Sequence, residues 1–223
     1  MAADQQNNAA ADYGDDDVAR QTDWEPLAKG GSNFASHNLQ QIDSGRLEFT
    51  PNLVTRLCTW LPTVFAVLQI PVGYLLVTYG VRDQRLLKMI VIGLTGMGFV
   101  FGPLLSWFLA RTLMRPAVFD QSRRLFWKGR QPPDMPDNAP SHTPCCRLDD
   151  IYALQIISEM VTSHSQDHGT HRYQSYELNL ILQDARRLNV IDHGDLDTVR
   201  NDARQLSRFL QIPVWDKTQA DAV

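Results

Sequence analysis

The stretch "LCTWLPTVFAVLQIPVGYLLVTYGVRDQRLLKMIVIGLTGMGFVFGPLLSWFLA", Leu57 to Ala110, governs every other assignment in this chain. It holds no Asp, Glu, Lys or Arg from Leu57 to Gly80, and again none from Met89 to Ala110. Each run exceeds the ~18 apolar residues that mark a spanning helix, whereas the buried helix of a soluble core is usually shorter. At ~1.5 Å per residue either run reaches ~33 Å or more, enough for the ~30 Å hydrocarbon layer with some tilt. The sequence therefore predicts transmembrane helices over 57–80 and 89–110. The intervening "VRDQRLLK", with Arg82, Asp83, Arg85 and Lys88, can only join antiparallel neighbours, so the pair reads as a hairpin with both outer ends on one side.

Whole-chain averages conceal this hairpin. A chain that is 43% hydrophobic and 21% charged, with a net charge of -4, would suit an ordinary soluble protein of one or two domains. Orientation follows from the flanks. The turn offers Arg82, Arg85 and Lys88, while the outer flanks offer Arg46, Arg56, Arg111, Arg115, Arg123, Arg124, Lys128 and Arg130. The larger outer set predicts both termini in the cytoplasm, with the chain integral to the plasma (inner) membrane. A long polar stretch precedes the first helix and no charged n-region opens the chain, so a cleavable signal peptide is not expected. Cys58, Cys145 and Cys146 do not look like an extracellular disulfide framework, which agrees with a reducing compartment.

Within lipid, helices associate through close packing, so small residues at regular spacing are informative. Gly98, Gly102 and Ser106 recur every four residues in the second helix, with Gly93 further along. Thr59, Ala66, Gly73 and Gly80 recur every seven in the first. The expected seam runs within one chain through Gly98, Gly102, Ser106, Ala66 and Gly73. The same stripe could instead join two copies through "GFVFG", making a homo-oligomer. Gln69 and Pro71 interrupt the first helix, and the Gln69 amide is expected to bond across to the partner helix or to a carbonyl freed by Pro71. Two helices cannot enclose a conduction path by themselves.

Outside the hairpin the pattern becomes strand-like. Residues 1–33 are acidic, with Asp4, Asp12, Asp15, Asp16, Asp17, Asp23 and Glu25, and are expected to be a solvated, disordered tail, although "WEPLAKGGSNF" carries aromatics that could fold back. Residues 34–52 hold a weak strand around "SHNLQQI" and a clear one in "RLEFT". The hairpin occupies 53–113. Over 114–216, "AVFD" and "RLFWKG" flank a turn, a proline-rich loop follows, and "DIYALQIISEMV", "YELNLILQ" and "RRLNVID" read as three further strands. An amphipathic helix then places Leu196, Val199, Ala203, Leu206 and Leu210 inward and leaves Arg200, Asp202, Arg204 and Arg208 for solvent, with Asp192 or Asp195 as its N-cap. "IPVWD" ends the fold with Trp215 on the core, and 217–223 is a short tail.

This order, with its run "LDDIYALQIISEM" to "YELNLILQDARRLNVIDHGDLDTVRNDARQLSRFLQIPVW", resembles a bacterial PH-like domain. The chain is similar to the poorly characterised bacterial membrane proteins that combine a PH-like domain with two transmembrane helices. The resemblance implies an α+β fold: a small antiparallel barrel closed by the C-terminal helix and interrupted by the inserted hairpin. It brings no catalytic motif with it.

Candidate chemistry in the residues themselves is thin. "SHSQDHGTHR" offers His164, Asp167, His168 and His171, with His142, Cys145 and Cys146 nearby in sequence, and imidazoles and thiolates are zinc ligands. In a loop no helix fixes their spacing, so a surface loop is the expected reading and no metal or other cofactor is expected. Asp192 and His193 are neighbours on a strand end, where side chains point apart, so an acid/base dyad is not expected. No GxSxG, HExxH, Walker or GxGxxG pattern is present, and the chain is expected not to be an enzyme. Arg111, Arg115, Arg123, Arg124, Lys128 and Arg130 begin where the second helix ends, which suits topology-setting or contact with anionic headgroups. Nucleic acid is not an expected partner of a chain that is acidic overall. The composite expectation is a cytoplasmic, membrane-anchored interaction or assembly module touching membrane lipid and a protein partner. An anionic-lipid headgroup sensor is the alternative, and a metal-dependent enzyme built on the histidine loop is a third.

Overall fold

Alternating apolar residues build most of the polar-flanked part of the chain, and a computed structural model shows how they assemble. It describes residues 15–27, 30–31, 34–80, 84–133, 144–165 and 169–218, of which 163–165, 169 and 171 are described in backbone only. Two compact units emerge, one from Met1–Thr50 with Pro116–Val223, the other from Pro51–Arg115.

In the first unit, β1 (His37–Asp43), β2 (Arg46–Pro51), β3 (Ala117–Asp120), β4 (Leu125–Lys128) and β5 (Cys145–Arg147) form a five-stranded sheet in sequential order. A second, four-stranded sheet runs in the order β8 (Arg187–His193), β7 (Gly169–Leu182), β6 (Ile151–Ser165), β9 (Val214–Asp216). The two sheets share one core. Leu47, Phe49, Phe119 and Phe126 enter it from the first sheet, and Leu154, Ile156, Leu178 and Leu180 from the second. Phe119 and Phe126 are cross-strand partners with ring centroids 4.8 Å apart, a tilted aromatic pair in the middle of that core.

The expected small barrel is replaced by these two separate sheets. Strand β9 pairs in parallel with Leu154–Ile156 of β6 and so occupies the edge through which β6 could have closed onto the other sheet. Both β9 and the three-residue β5 were hidden in the sequence because strands so short carry no readable alternation.

Helix α4 (Leu196–Leu210) caps the shared core with Val199, Ala203 and Leu206. It starts at Asp195, whose carboxylate accepts the Thr198 N–H at 2.7 Å, and ends at Gln211 in the left-handed region at φ 58°. Asp202 does not face solvent as the helical pattern suggested. It lies on the apolar stripe beside Ala203, 7% exposed.

The expectation of a disordered tail is also corrected over 15–27, where the short helix α1 (Asp17–Gln21) begins at Asp16 and Trp24 is buried. Two of the acids that made this segment read as solvated, Asp16 and Asp23, cap α1 and bind the sheet.

In the second unit, α2 (Leu53–Leu75) continues through a π-helical turn at Leu76–Gly80, and α3 (Arg85–Leu113) runs back. Both are long and apolar enough to cross a membrane, and only 11% and 6% of their most apolar windows are buried. That low burial separates them from the core helices of a soluble protein, which hide the same side chains. Side chains such as Phe65, Leu86 and Met89 stand outward.

Candidate functional site

The four-stranded sheet is covered on both faces. Its inner face meets the core, and its outer face carries Gln155, Ser175, Glu177 and Asn179, all buried, under the N-terminal segment. A small apolar cluster of Ala19, Trp24, Ala153, Ile181 and Trp215 anchors that segment. Trp24 rests against Trp215 with centroids 5.8 Å apart, and Tyr152 approaches Trp215 from 5.9 Å.

The rest of the contact is polar and directed at the segment's backbone. Leu27 N–H donates to Glu177 Oε2 at 3.0 Å, and the Gly30 and Gly31 N–H groups donate to the Glu159 carboxylate at 3.2 Å. In the other direction Gln155 Nε2 donates to the Asp23 carbonyl, Lys217 Nζ to that of Trp24, Arg187 to that of Glu25 and the Tyr173 hydroxyl to that of Gly31. Arg187 also pairs with the Asp23 carboxylate at 3.0 Å, and the Tyr152 hydroxyl donates to Asp16. Gly31 is in close approach: a Cβ there would collide with the Ser175 side chain.

A charged network adjoins this face. Lys128 Nζ donates to Asn189 Oδ1 at 3.0 Å, and Asn189 Nδ2 donates to Asp192 at 2.8 Å. Asn179 Nδ2 donates to Glu177 Oε2, the same oxygen that accepts the Leu27 N–H. Burial pulls the Lys128 ammonium down to about 8, against the pull of Asp192 and Glu177. Burial likewise raises Asp192 above the ordinary carboxylate range, against the Asn189 hydrogen bond. Lys128 is therefore turned into the protein and is corrected as a headgroup candidate.

The other basic candidates are dispersed. Arg111 lies with its guanidinium 4.0 Å from the Trp107 ring centre, and Arg115 donates to the Arg111 carbonyl, both in the second unit. In the first unit, Arg123 sits in the β3–β4 turn with its N–H on Asp120, Arg124 is ion-paired to Asp149 at 2.5 Å, and Arg130 is exposed. Headgroup binding by such residues would stabilise the folded chain in proportion to ligand. Arg123→Gln with Arg130→Gln is expected to leave the difference in thermal midpoint between anionic and neutral vesicles unchanged; loss of a gain in anionic vesicles would favour the sensor reading.

The small residues of the apolar helices do meet. A Cβ on Gly102 would come within 2.6 Å of both Ala66 Cβ and the Pro62 carbonyl oxygen, and one on Gly73 within 2.6 Å of Thr95 Oγ1. A Cβ on Gly98 would overlap the Gln69 side chain, whose Nε2 donates to the Thr95 carbonyl at 3.3 Å. Ser106 is fully buried, and its Oγ accepts the Thr63 N–H at 3.2 Å. Gly93 has nothing within 4 Å, and Gly80 is exposed, so neither belongs to this seam.

His168 and the side chains of His164 and His171 lie outside the described residues, as does Asp167. Among the described residues no group of three His, Cys, Asp or Glu could hold a metal ion. Cys146 packs into the core, where burial pushes its thiol up to about 12. Asp192 pairs across to Glu177 on the outer face, whereas His193 pairs with the core residue Tyr176, so the two side chains point apart. His193 instead accepts the Asp195 N–H on Nδ1 at 2.8 Å, ahead of the α4 cap, and burial holds its pKa below the usual imidazole value.

Sequence reasoning passed over Gln155, Ser175, Glu177 and Asn179 because polar residues alternating with apolar ones read as a solvent face. The signal that could have found them was the acid-flanked Trp24 followed by the Gly30–Gly31 pair. No protein-family model, curated protein or solved structure matches the chain.

Proposed function

We propose that this chain is a non-enzymatic, membrane-anchored interaction or assembly module of the plasma (inner) membrane, with a PH-like domain interrupted by a transmembrane hairpin. The observation that carries this reading is the placement of two outward-facing apolar helices between hydrogen-bonded neighbours. Strand β2 leads into α2 and α3 leads into β3, while Phe49 pairs with Ala117 across the β2–β3 ladder. A chain that leaves through one helix must come back to the strand beside its point of departure. Both termini then share one side, and the Lys and Arg of the outer flanks make that side the cytoplasm.

The PH-like part rests on the order of elements. Two antiparallel meanders in succession, followed by a helix whose Val199, Ala203 and Leu206 enter the core they share, fit that resemblance. The interaction role rests on the buried polar face that already binds a peptide segment through its backbone, a mode used for partner recognition.

Alkaline carbonate is expected to leave the full chain in the membrane pellet, and thiol-reactive or protease probes of both termini are expected to find them on the cytoplasmic face. Extraction into the supernatant, or termini on opposite faces, would overturn the reading.

A further inference from the structure

We propose that the outer face of the four-stranded sheet is a peptide-binding face and that the N-terminal segment, described over residues 15–27 and 30–31, is its resident, exchangeable occupant. The partner it fits is an acidic segment of another protein, a short helical turn followed by an irregular run, carrying a tryptophan and, farther along, a glycine. This rests on the interaction-module reading and names the surface that such a module would use.

Three features set this segment apart from a permanent part of the fold. First, among the described residues it adds no strand: the sheet order β8–β7–β6–β9 is complete without it, and the one regular element described in the segment is the five-residue α1. Second, the face beneath is partly polar: beside the apolar seat of Ala153, Ile181 and Trp215 it carries four buried polar side chains. Gln155, Ser175, Glu177 and Asn179 would each cost free energy if buried without partners, but all can be satisfied by water when uncovered. A face meant to stay closed is more cheaply made of apolar side chains. Third, the sheet reads mainly main-chain groups. Glu159 and Glu177 accept amide N–H groups, while Gln155, Tyr173, Arg187 and Lys217 donate to carbonyls, and any extended peptide supplies both.

Selectivity comes from the remaining contacts. Trp215 and Tyr152 form the aromatic seat for Trp24. Arg187 and the Tyr152 hydroxyl take the Asp23 and Asp16 carboxylates, which favours an acidic occupant. Ser175 leaves no room for a side chain at position 31. An occupant lacking the aromatic or the glycine loses its anchor or collides with the sheet.

A bound segment that competes from within lowers apparent affinity by the fraction of time the face is open. The probe is a fluorescent synthetic peptide of residues 15–31, titrated into the full chain in detergent. Trp24→Ala in the chain loosens the resident segment and is expected to tighten peptide binding by about tenfold over the wild type. The peptide with Trp24→Ala or Gly31→Val is expected not to bind the loosened chain. Equal binding of all peptides, or none to either chain, would overturn the proposal.

Because Trp24→Ala could perturb the fold, amide exchange on the unaltered chain gives an independent reading. The Leu27, Gly30 and Gly31 amides are expected to exchange about 100-fold faster than the β6–β7 ladder, through local opening. Exchange of both sets at one common rate would make the segment a fixed part of the fold and overturn the proposal. Dimers of the wild type that Trp24→Ala abolishes would assign the face to a second copy and overturn the partner named here. Carbonate extraction reads the apolar helices and peptide binding reads the sheet, so either proposal can fail without the other.

Discussion

Replacing Gly102 by leucine is expected to drive α2 and α3 apart. The added Cβ would lie 2.6 Å from the Pro62 carbonyl oxygen, a main-chain atom of α2, and 2.6 Å from Ala66 Cβ. A flexible side-chain tip could swing aside; a helix backbone can only move as a body. As the helices separate, the Gln69 to Thr95 and Thr63 to Ser106 hydrogen bonds across the seam lengthen and fail. Overpacking of this kind costs about 1–3 kcal/mol, and each interhelical hydrogen bond in lipid adds about 0.6 kcal/mol, for a total loss of about 3 kcal/mol.

The measurement is thermal unfolding of the full chain in detergent, with size determined alongside. Gly93→Leu is the control, since a Cβ there meets nothing within 4 Å, and it is expected to leave the midpoint unchanged. Gly98→Ala is expected to cost less than Gly102→Ala, because the obstacle at Gly98 is the end of the Gln69 side chain. A Gly102→Leu chain with unaltered midpoint and size would refute the seam.

These helices were the most legible part of the sequence, for a physical reason. Charge-free runs of this length have few other uses, and the spacing of Gly98, Gly102 and Ser106 on one helix and Ala66 and Gly73 on the other follows directly from helical geometry. Gly93 and Gly80 show the limit of that reasoning, since small size alone does not place a residue on the contacting face.

The strands with clear alternation were legible too. Leu47 and Phe49 in β2, and Leu178, Leu180 and Leu182 in β7, turn to the core as their spacing requires. What stayed hidden depended on tertiary context. Asp16, Asp23 and Glu25 look like residues of a solvated tail until Tyr152, Arg187 and the helix α1 amides are placed around them. Lys128 belongs by sequence to a basic cluster, yet on the four-residue β4 its ammonium reaches Asn189 on β8, a contact with no local signature. The face that binds the N-terminal segment was the least legible feature, because alternation alone does not distinguish a polar face under a peptide from one under water.

Asp202 presents the same difficulty on a helix, and its removal is expected to strengthen the fold in a pH-dependent way. Desolvation pushes its carboxyl up to about 6 from the ordinary 3.8, and among the described residues neither a hydrogen-bond donor nor a cation reaches it. With the folded-state pKa above the unfolded one, the folded chain holds the extra proton between about pH 4 and 6. Stability contributed at this position is therefore complete below pH 3.8 and falls as pH rises through about 6, beyond which the penalty is constant. A shift of this size corresponds to about 2–3 kcal/mol at neutral pH. Asp202→Asn keeps the shape and removes the charge, so the variant is expected to match the parent near pH 4 and to exceed it by about 2 kcal/mol at pH 7. Denaturant midpoints of the full chain across that range check this. His193, Asp192 and Lys128, whose pKa values burial also displaces, are present in both proteins, so the difference between them isolates Asp202. A gap that is the same at pH 4 and pH 7 would mean that the carboxylate is not buried on the α4 stripe as a charge.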